Sequence, residues 1–171
     1  TDQDSGDSHS YTLSGTDAGQ FEIVGDQLQL ASNASVDFES KTSYAVTVTA
    51  SDADGKSVSD DFTISVNDVN EGPWVGFASV SIDENSTGIV VGDLTINDED
   101  TGDTHTLELS GADAGLFEIN EGNQLQLKTG ASLDHEDPDG YAVTVTATET
   151  GTGGLASSND IIITANDVND T

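Results

Sequence analysis

The sequence predicts an all-β chain made of two β-sandwiches in tandem, and three observations carry that expectation. Tyr44-Ala-Val-Thr-Val-Thr-Ala50 and Tyr141-Ala-Val-Thr-Val-Thr-Ala147 alternate large apolar with small polar residues, the period of two that marks a half-buried strand. Sliding the chain against itself by about 96 to 99 residues aligns nearly all of its first 72. No stretch shows a helical period, and turn signals recur at the short spacing of an all-β sandwich. The period is too long for a solenoid repeat or a propeller blade.

The repeat is legible segment by segment. Asp2-Gln3-Asp4-Ser5-Gly6-Asp7 returns as Asp98-Glu99-Asp100-Thr101-Gly102-Asp103. Ser14-Gly15-Thr16-Asp17-Ala18-Gly19-Gln20-Phe21-Glu22-Ile23 returns as Ser110-Gly111-Ala112-Asp113-Ala114-Gly115-Leu116-Phe117-Glu118-Ile119. Gln27-Leu28-Gln29-Leu30 is written again as Gln124-Leu125-Gln126-Leu127, and Val36-Asp37-Phe38-Glu39 as Leu133-Asp134-His135-Glu136. In the second copy the pattern predicts strands at 75–82, 90–96, 106–110, 117–120, 124–127, 141–149 and 160–166. In the sixth, Tyr141, Val143, Val145 and Ala147 face inward; in the seventh, Ile161, Ile163 and Ala165 do. The matching inward positions of the first copy are Phe62, Ile64 and Val66.

The first copy begins at the equivalent of Asn97, so nothing in it matches Trp74–Ile96, the first two strands. The expected division is therefore an incomplete repeat over 1–71 and a complete one over 72–171. A sandwich without two strands has open edges and an uncovered core. Two explanations stand: an arbitrary boundary in a longer repetitive polypeptide, or completion by strands added from another chain. The abrupt start inside a repeat also suggests that the natural N-terminus lies elsewhere, and no secretory leader is visible.

Composition excludes several functions. The formal charge is −30, from 33 acidic residues against three lysines (Lys41, Lys56, Lys128) and no arginine. A nucleic-acid surface is therefore excluded, because phosphate would be repelled. Without cysteine or methionine, disulfides and thiolate metal sites are closed to it. No apolar run approaches the roughly 18 residues that span a bilayer.

The acidic residues recur at matching places rather than being scattered. Asn67-Asp68-Val69-Asn70-Glu71 closes the first copy, and Asn166-Asp167-Val168-Asn169-Asp170 closes the second. Asp37 and Glu39, two apart on chain read as extended, project to one face, and Asp98 and Asp100 open the loop after the second strand of the complete copy. Two bare carboxylates about 4 Å apart repel by roughly 1 kcal/mol in water and about 4 at a partly buried site. Side-chain and backbone oxygens at strand ends suit a hard cation, which takes six to eight of them; calcium is the natural candidate.

In these residues the chain resembles tandem cadherin repeats, in the form common in large bacterial surface and secreted adhesin-type proteins. Four marks carry the resemblance: the Asp-x-Asn-Asp junction (Asp68–Glu71; Asp167–Asp170), the Leu-Asp-x-Glu segment (Val36–Glu39; Leu133–Glu136), the Asp-x-Asp loop (Asp2–Asp4; Asp98–Asp100) and the early-strand Glu84. The resemblance implies Greek-key seven-stranded β-sandwiches with calcium at the junction between repeats. It assigns Asp37, Glu39, Glu71 and the Val69 carbonyl to ions nearer the first copy. Asn70, the Gly72 carbonyl, Asp98, Asp100 and Glu149 fall to the ion nearer the second. Glu84, Asp134, Glu136, Asp167, Val168, Asn169 and Asp170 form half of a following junction, and Asp2, Asp4 and Asp52 half of a preceding one. Glu71 and Glu149 stand where aspartate is usual or where the first copy has Asp52. The first copy also lacks its early-strand glutamate, so one to three ions are expected.

The function implied is a calcium-stiffened structural or adhesive module of an extracellular stalk or filament, at the cell surface. Its partners would be neighbouring repeats, with homotypic or strand-donation contacts and a surface glycan as further options. An enzyme is not expected: the paired carboxylates look like a glycosidase pair, but they repeat in each copy without an aromatic-lined cleft. His9, His105 and His135 read as loop-packing residues, with no nucleophile beside them. Trp74, directly after the junction, reads as packing over it or into the second core. Outward Thr144, Thr146 and Thr148 are ordinary strand chemistry. The alternative function is a carbohydrate-binding accessory module of a secreted polysaccharide-active protein, or a self-polymerising unit completed by strand donation.

Overall fold

The computed structural model describes residues 8–79, 81–136, 140–151 and 154–168. They fold as two compact units, Thr1–Val69 and Asn70–Thr171. The chain is all-β, its only helical turns among the described residues being single 3-10 turns at Ala18–Gln20 and Ala114–Leu116.

Unit 2 is a sandwich of two antiparallel sheets. Its strands are β6 (Trp74–Ser79), β7 (Val90–Asn97), β8 (His105–Ser110), β9 (Phe117–Ile119), β10 (Gln124–Leu127), β11 (Tyr141–Glu149) and β12 (Ala156–Ile163). One sheet runs β6-β7-β10-β9 and the other β12-β11-β8. The alternation in Tyr141–Glu149 has its physical outcome here. Tyr141, Val143, Val145 and Ala147 are buried with Phe117, Leu125, Leu127, Ile161 and Ile163 in one apolar cluster between the sheets. The outward Thr144 hydroxyl donates to Asp160 Oδ1 at 2.7 Å, and Thr146 shares a 2.8 Å hydrogen bond with Ser158, cross-strand pairs on the solvent face. β7 carries a bulge at Val91, where the pairing with β10 passes from Gly92 opposite Leu125 to Val90 opposite Gln126.

The seventh strand differs from the sequence expectation. It covers Ala156–Ile163 rather than 160–166. Its polar first half is held by pairing with β11 from Thr148↔Ala156 onward, which a hydrophobicity pattern cannot register. Ala165 is nonetheless buried, just beyond the strand. Of the two readings of Trp74, packing into the second core fails: it is 62% exposed and the core of unit 2 forms without it. Its ring lies along its own strand over Gly76, 2.8 Å from where a side-chain carbon there would stand. A tryptophan at a strand start with a glycine two residues on finds its apolar cover locally.

Unit 1 has five strands: β1 (Ser10–Ser14), β2 (Phe21–Val24), β3 (Gln27–Leu30), β4 (Ser43–Ser51) and β5 (Ser57–Ser65). They form a sheet β1-β4-β5 and a two-stranded sheet β2-β3. Tyr44 and Val46 are buried, and the Tyr44 ring meets Phe21 edge-on with centroids 5.9 Å apart. The inward row expected of Phe62, Ile64 and Val66 is only partly covered, Phe62 being 44% exposed. In unit 2 the equivalent Ile161 lies under strands that have no counterpart among the described residues of unit 1.

Both units keep one local device. Ser-Gly at Gly15 and at Gly111 turns with φ of 102° and 105°, a region costly for a residue with a side chain. The following aspartate then ties the turn to the long strand: Ala45 N–H donates to Asp17 Oδ2 and Ala142 N–H to Asp113 Oδ2, each at 2.8 Å. In unit 1 Lys41 adds an ion pair with Asp17 and sits 4.8 Å from the Tyr44 ring centre, and this cation holds the Asp17 carboxyl below its usual range.

Leu125 is fully buried whereas its repeat equivalent Leu28 is half-exposed. Leu125→Ala should therefore destabilise unit 2 by about 2–5 kcal/mol, and Leu28→Ala should cost unit 1 clearly less. Urea unfolding followed by amide exchange at β10 and β3 checks the order; equal losses would contradict it.

Candidate metal centre

At the end of unit 2 where the chain enters, three segments bring oxygens together: Asn70–Gly72 ahead of β6, the β7–β8 loop, and the last residue of β11. Glu149 is the fifth member of the inward row that starts at Tyr141, so the strand's own alternation drives its carboxylate to the rim of the core. It is 5% exposed. Asn70 Nδ2 donates to Glu149 Oε2 at 3.0 Å, and Leu155 N–H donates to the same oxygen at 3.3 Å. Glu149 Oε1 is buried with no hydrogen-bond partner. A buried carboxylate oxygen left bare is costly, and a cation is the partner that answers it.

The loop beside it is built from aspartates. Asp98, Asp100 and Asp103 each place one oxygen within 4.8 Å of the others. Asp100 N–H donates to Asp98 Oδ1 at 3.1 Å, Glu71 N–H to Asp100 Oδ2 at 2.8 Å, and His105 Nε2 stands 2.7 Å from Asp98 Oδ2. The hydrogen bond with His105 holds the Asp98 carboxyl below the usual aspartate range. Asp103 moves the other way: lost hydration first, then the charges of Glu149, Asp98 and Asp100, push its carboxyl up.

A second cluster sits among residues that close unit 2. Glu84 follows the buried Ile82 by two residues and is itself 5% exposed. An isolated parallel bridge, Asp83↔Asn166, fixes this stretch, with Glu84 N–H on the Asn166 carbonyl at 3.1 Å and Asn166 N–H on that of Ile82 at 2.8 Å. Asn85 takes the left-handed turn that follows, at φ 60°, a conformation asparagine tolerates. The Glu84 carboxylate accepts His135 N–H at 3.1 Å and Val168 N–H at 2.8 Å. Asp134 and Glu136 lie beside it, the three offering oxygens within 4.8 Å of one another. Tyr141 Oη accepts Asp134 N–H at 2.7 Å, and Asp134 Oδ1 accepts Glu136 N–H at 2.9 Å. The hydrogen bond between the two side chains pushes the Glu136 carboxyl up and the Asp134 carboxyl down. His135 turns its Nδ1 to the Ala165 carbonyl at 2.7 Å; that contact, then the charges of Asp167, Glu136 and Glu84, raise its pKa.

In unit 1, Asp37 and Glu39 do not lie on extended chain as the sequence predicts. Asp37 opens a turn: its Oδ1 accepts Glu39 N–H at 3.0 Å and Ser40 N–H at 3.2 Å, and its Oδ2 accepts the Ser40 hydroxyl at 2.7 Å. These donors, led by Ser40, keep its carboxyl low. An aspartate followed by glutamate and serine captures the backbone locally, and that wins over strand geometry. Asp52 caps the β4–β5 turn by accepting Lys56 N–H at 2.8 Å. Val69 is exposed, and Gly72 packs near Leu155 within unit 2. Asp167 is exposed and Val168 serves Glu84 through its backbone. Asp2, Asp4, Asn169 and Asp170 lie outside the described residues. Asp103 is the acidic neighbour that sequence reasoning leaves unassigned; its signal is the recurrence of Asp7 as Asp103 in the repeat.

The donor set is carboxylate, amide and backbone oxygen, with no thiolate. The imidazoles nearby are already engaged, His105 by Asp98 and His135 by the Ala165 carbonyl. That is the chemistry of calcium rather than zinc, and the bare Glu149 Oε1 says that the residues present fit such an ion. No helix of the described residues is long and apolar enough to cross a membrane.

Comparison with known proteins gives a consistent result. The Cadherin domain model matches residues 78–165. Protocadherin gamma-B5 of Homo sapiens and that of Pan troglodytes are each 31% identical over 99% of this chain, which spans about a fifth (19%) of their length. Among solved structures, PcdhgB3 EC1-4 superposes with a TM-score of 0.65 at 28% identity, over 94% of this chain and 41% of that one. The protocadherin gammaB7 EC3-6 cis-dimer structure gives 0.55 at 32% identity, over 95% and 41%.

Because lost hydration and like charge raise the carboxyl of the exposed Asp103, Asp103→Asn should raise the melting temperature of unit 2 in chelator at pH 7. A raised carboxyl pKa opposes folding in full above the folded value, and the penalty fades as pH falls from the folded value to the unfolded one. The gain should therefore shrink from pH 7 toward pH 4. Scanning calorimetry of the two proteins across that range checks both signs; a gain that grows on acidification contradicts them.

Proposed function

The chain belongs to the cadherin family, whose domains are extracellular modules of calcium-dependent adhesion, and from that premise we propose that this one is a calcium-stiffened segment of an extracellular stalk or filament. The observation that carries the reading is the bare, buried Glu149 Oε1 beside the Asp98, Asp100 and Asp103 carboxylates. In this reading Asn70, Glu71, the Gly72 carbonyl, Asp98, Asp100 and Glu149, with Asp103 beside them, hold calcium at the junction of an incomplete repeat 1–71 and a complete repeat 72–171. Asp37, Glu39 and the Val69 carbonyl of the first repeat complete that site. Glu84, Asp134, Glu136, Asp167 and Val168, with Asn169 and Asp170, form half of a following site, and Asp2, Asp4 and Asp52 half of a preceding one.

Bound calcium would supply the positive charge that lets so many carboxylates converge. The chain's own contribution is to aim them: β11 presents Glu149 at the rim, the β7–β8 loop fans its aspartates, and Glu71 N–H steers Asp100. Sites of this kind in extracellular modules have dissociation constants on the order of 10⁻⁴–10⁻³ M, so they fill outside a cell and stay empty in the cytosol. The family's members are adhesion proteins rather than enzymes, and the same role is proposed here. Neighbouring repeats of the same protein are the partners proposed first. Placement in a bacterial surface protein comes from the resemblance of the repeats alone; the relatives named above are animal protocadherins. Carbohydrate binding gains little support, since Trp74 is the one exposed aromatic ring of unit 2 among the described residues.

Scanning calorimetry with excess calcium and with chelator tests the reading. Calcium at ten times its dissociation constant should stabilise by about 1.4 kcal/mol per site, and an identical melting temperature in the two buffers would contradict it. Asp100→Asn should loosen the link between repeats without unfolding either core, read as a changed radius of gyration in X-ray scattering of the calcium-loaded protein. A radius equal to the parent's would contradict the role in stiffening.

A further inference from the structure

The inward row of β12 changes character half-way along. Ile161 and Ile163 are buried in the core, but the two positions before them on the same face are Asn159 and Ser157, both half-buried. A polar side chain turned inward must find a hydrogen-bond partner or cost stability. The partners here are backbone carbonyls. β6 is the edge strand of its sheet and β12 that of the other, so β6 offers carbonyls that β7 does not pair. The Ser157 hydroxyl donates to the Pro73 carbonyl, and Asn159 Nδ2 donates to that of Val75 at 3.1 Å.

These contacts run on into the candidate metal centre. Two residues ahead of Ser157, Leu155 donates its N–H to Glu149 Oε2 at 3.3 Å and accepts the Glu149 N–H at 3.0 Å. Its side chain lies against Gly72, where an added side-chain carbon would stand 3.4 Å from the Leu155 Cβ. Leu155, Ser157 and Asn159 thus run beside Gly72, Pro73 and Val75. The entry segment they hold is the one whose Asn70 reaches Glu149 and whose Glu71 N–H reaches Asp100. β12 is in turn fixed to β11 by its ladder, with Ala147 opposite Ser157 and Val145 opposite Asn159. The strand that carries Glu149 and the segment that carries Asn70 are therefore set in one register by two side chains outside the oxygen set assigned to the ion.

We propose that Ser157 and Asn159 are positioning residues of the calcium site: they clasp the entry segment to β12 and hold Asn70–Gly72 against Glu149 before any ion arrives. The inference rests on the calcium reading above and adds to it a determinant of affinity that lies outside the ligands. An entry segment released from β12 reaches the clasped arrangement only part of the time, and apparent affinity falls by that fraction. Loss of one hydrogen bond of ordinary strength therefore weakens calcium binding by roughly three- to tenfold. The acidic cluster at Glu84 is held by other residues, His135 and Val168, and keeps its affinity.

The test is a calcium titration of the full chain followed by amide NMR, read separately at Asn70–Gly72 and at Glu84. Ser157→Ala and Asn159→Ala should each raise the half-saturating calcium at Asn70–Gly72 by about threefold or more, and leave that at Glu84 as in the parent. Ser157→Thr keeps the hydroxyl and should keep the parent's affinity. Ser158→Ala, which removes a hydroxyl from the solvent face of the same strand, should keep it as well. In chelator, the Glu71 amide of the two alanine variants should exchange about threefold faster or more. Amides in the middle of β11 should exchange as in the parent, which separates a loosened entry segment from a weakened core. Half-saturation equal to the parent's in both alanine variants would overturn the inference and leave the calcium reading standing. A parent with no saturable shift would overturn the calcium reading, and this inference with it.

Discussion

Like-charge repulsion between carboxylates is the constraint around which this molecule is arranged. Thirty-three acidic side chains share three lysines, so internal ion pairs cannot neutralise them. On an evenly solvated surface that excess would be tolerable, because salt at about 0.1 M screens exposed charges more than about 10 Å apart. Here the loops gather aspartates and glutamates within 4.8 Å of one another at two places in unit 2. The fold answers the charge in two ways. Glu84 is satisfied by backbone donors from His135 and Val168, and Asp37 in unit 1 by those of Glu39 and Ser40. Glu149 takes both of its donors on Oε2 and leaves Oε1 bare, and that shortfall is what a divalent cation would meet.

The sandwich makes such clusters possible without loss of its core. Strand alternation fills the interior with Val143, Val145, Ala147, Ile161 and Ile163, and the same alternation, continued one step past the apolar run, delivers Glu149 to the rim. Ile82 and Glu84 repeat the device in the other cluster. The core thus fixes where the charges stand, and packing energy offsets the repulsion that remains when no cation is present. Titration and metal binding consequently act on loops, while the sheets between them are set by apolar burial.

Much of this is legible in the residues alone. Period-two runs such as Tyr141–Glu149 fix both strand position and inward face, because burial on a pleated sheet leaves that trace directly. The second half of the repeat announces its seven strands, five of them within a residue at each end. What escapes is what local chemistry decides. The polar start of β12 is set by pairing with β11, which hydrophobicity does not record. The turn at Asp37 comes from its own side chain capturing Glu39 and Ser40 N–H. Trp74 reads from its place after the junction as packing over it or into the second core, yet Gly76 on its own strand gives the indole a bed at the surface. For the acidic residues, recurrence in the repeat marks Asp103 along with Asp98 and Asp100, but its part beside them emerges only once the loop is folded.

The central claim, that the Glu149 and β7–β8 oxygens await a divalent ion, meets its most direct test in a calcium titration followed by amide NMR of the chain. The account predicts saturable shifts at Asn70–Gly72, Asp98–Asp103, Glu149 and Leu155, with half-saturation on the order of 10⁻⁴–10⁻³ M, while amides in the middle of β11 hardly move. Resonances at those residues that stay fixed through 10-fold higher calcium, in a protein whose core signals show it folded, would contradict it.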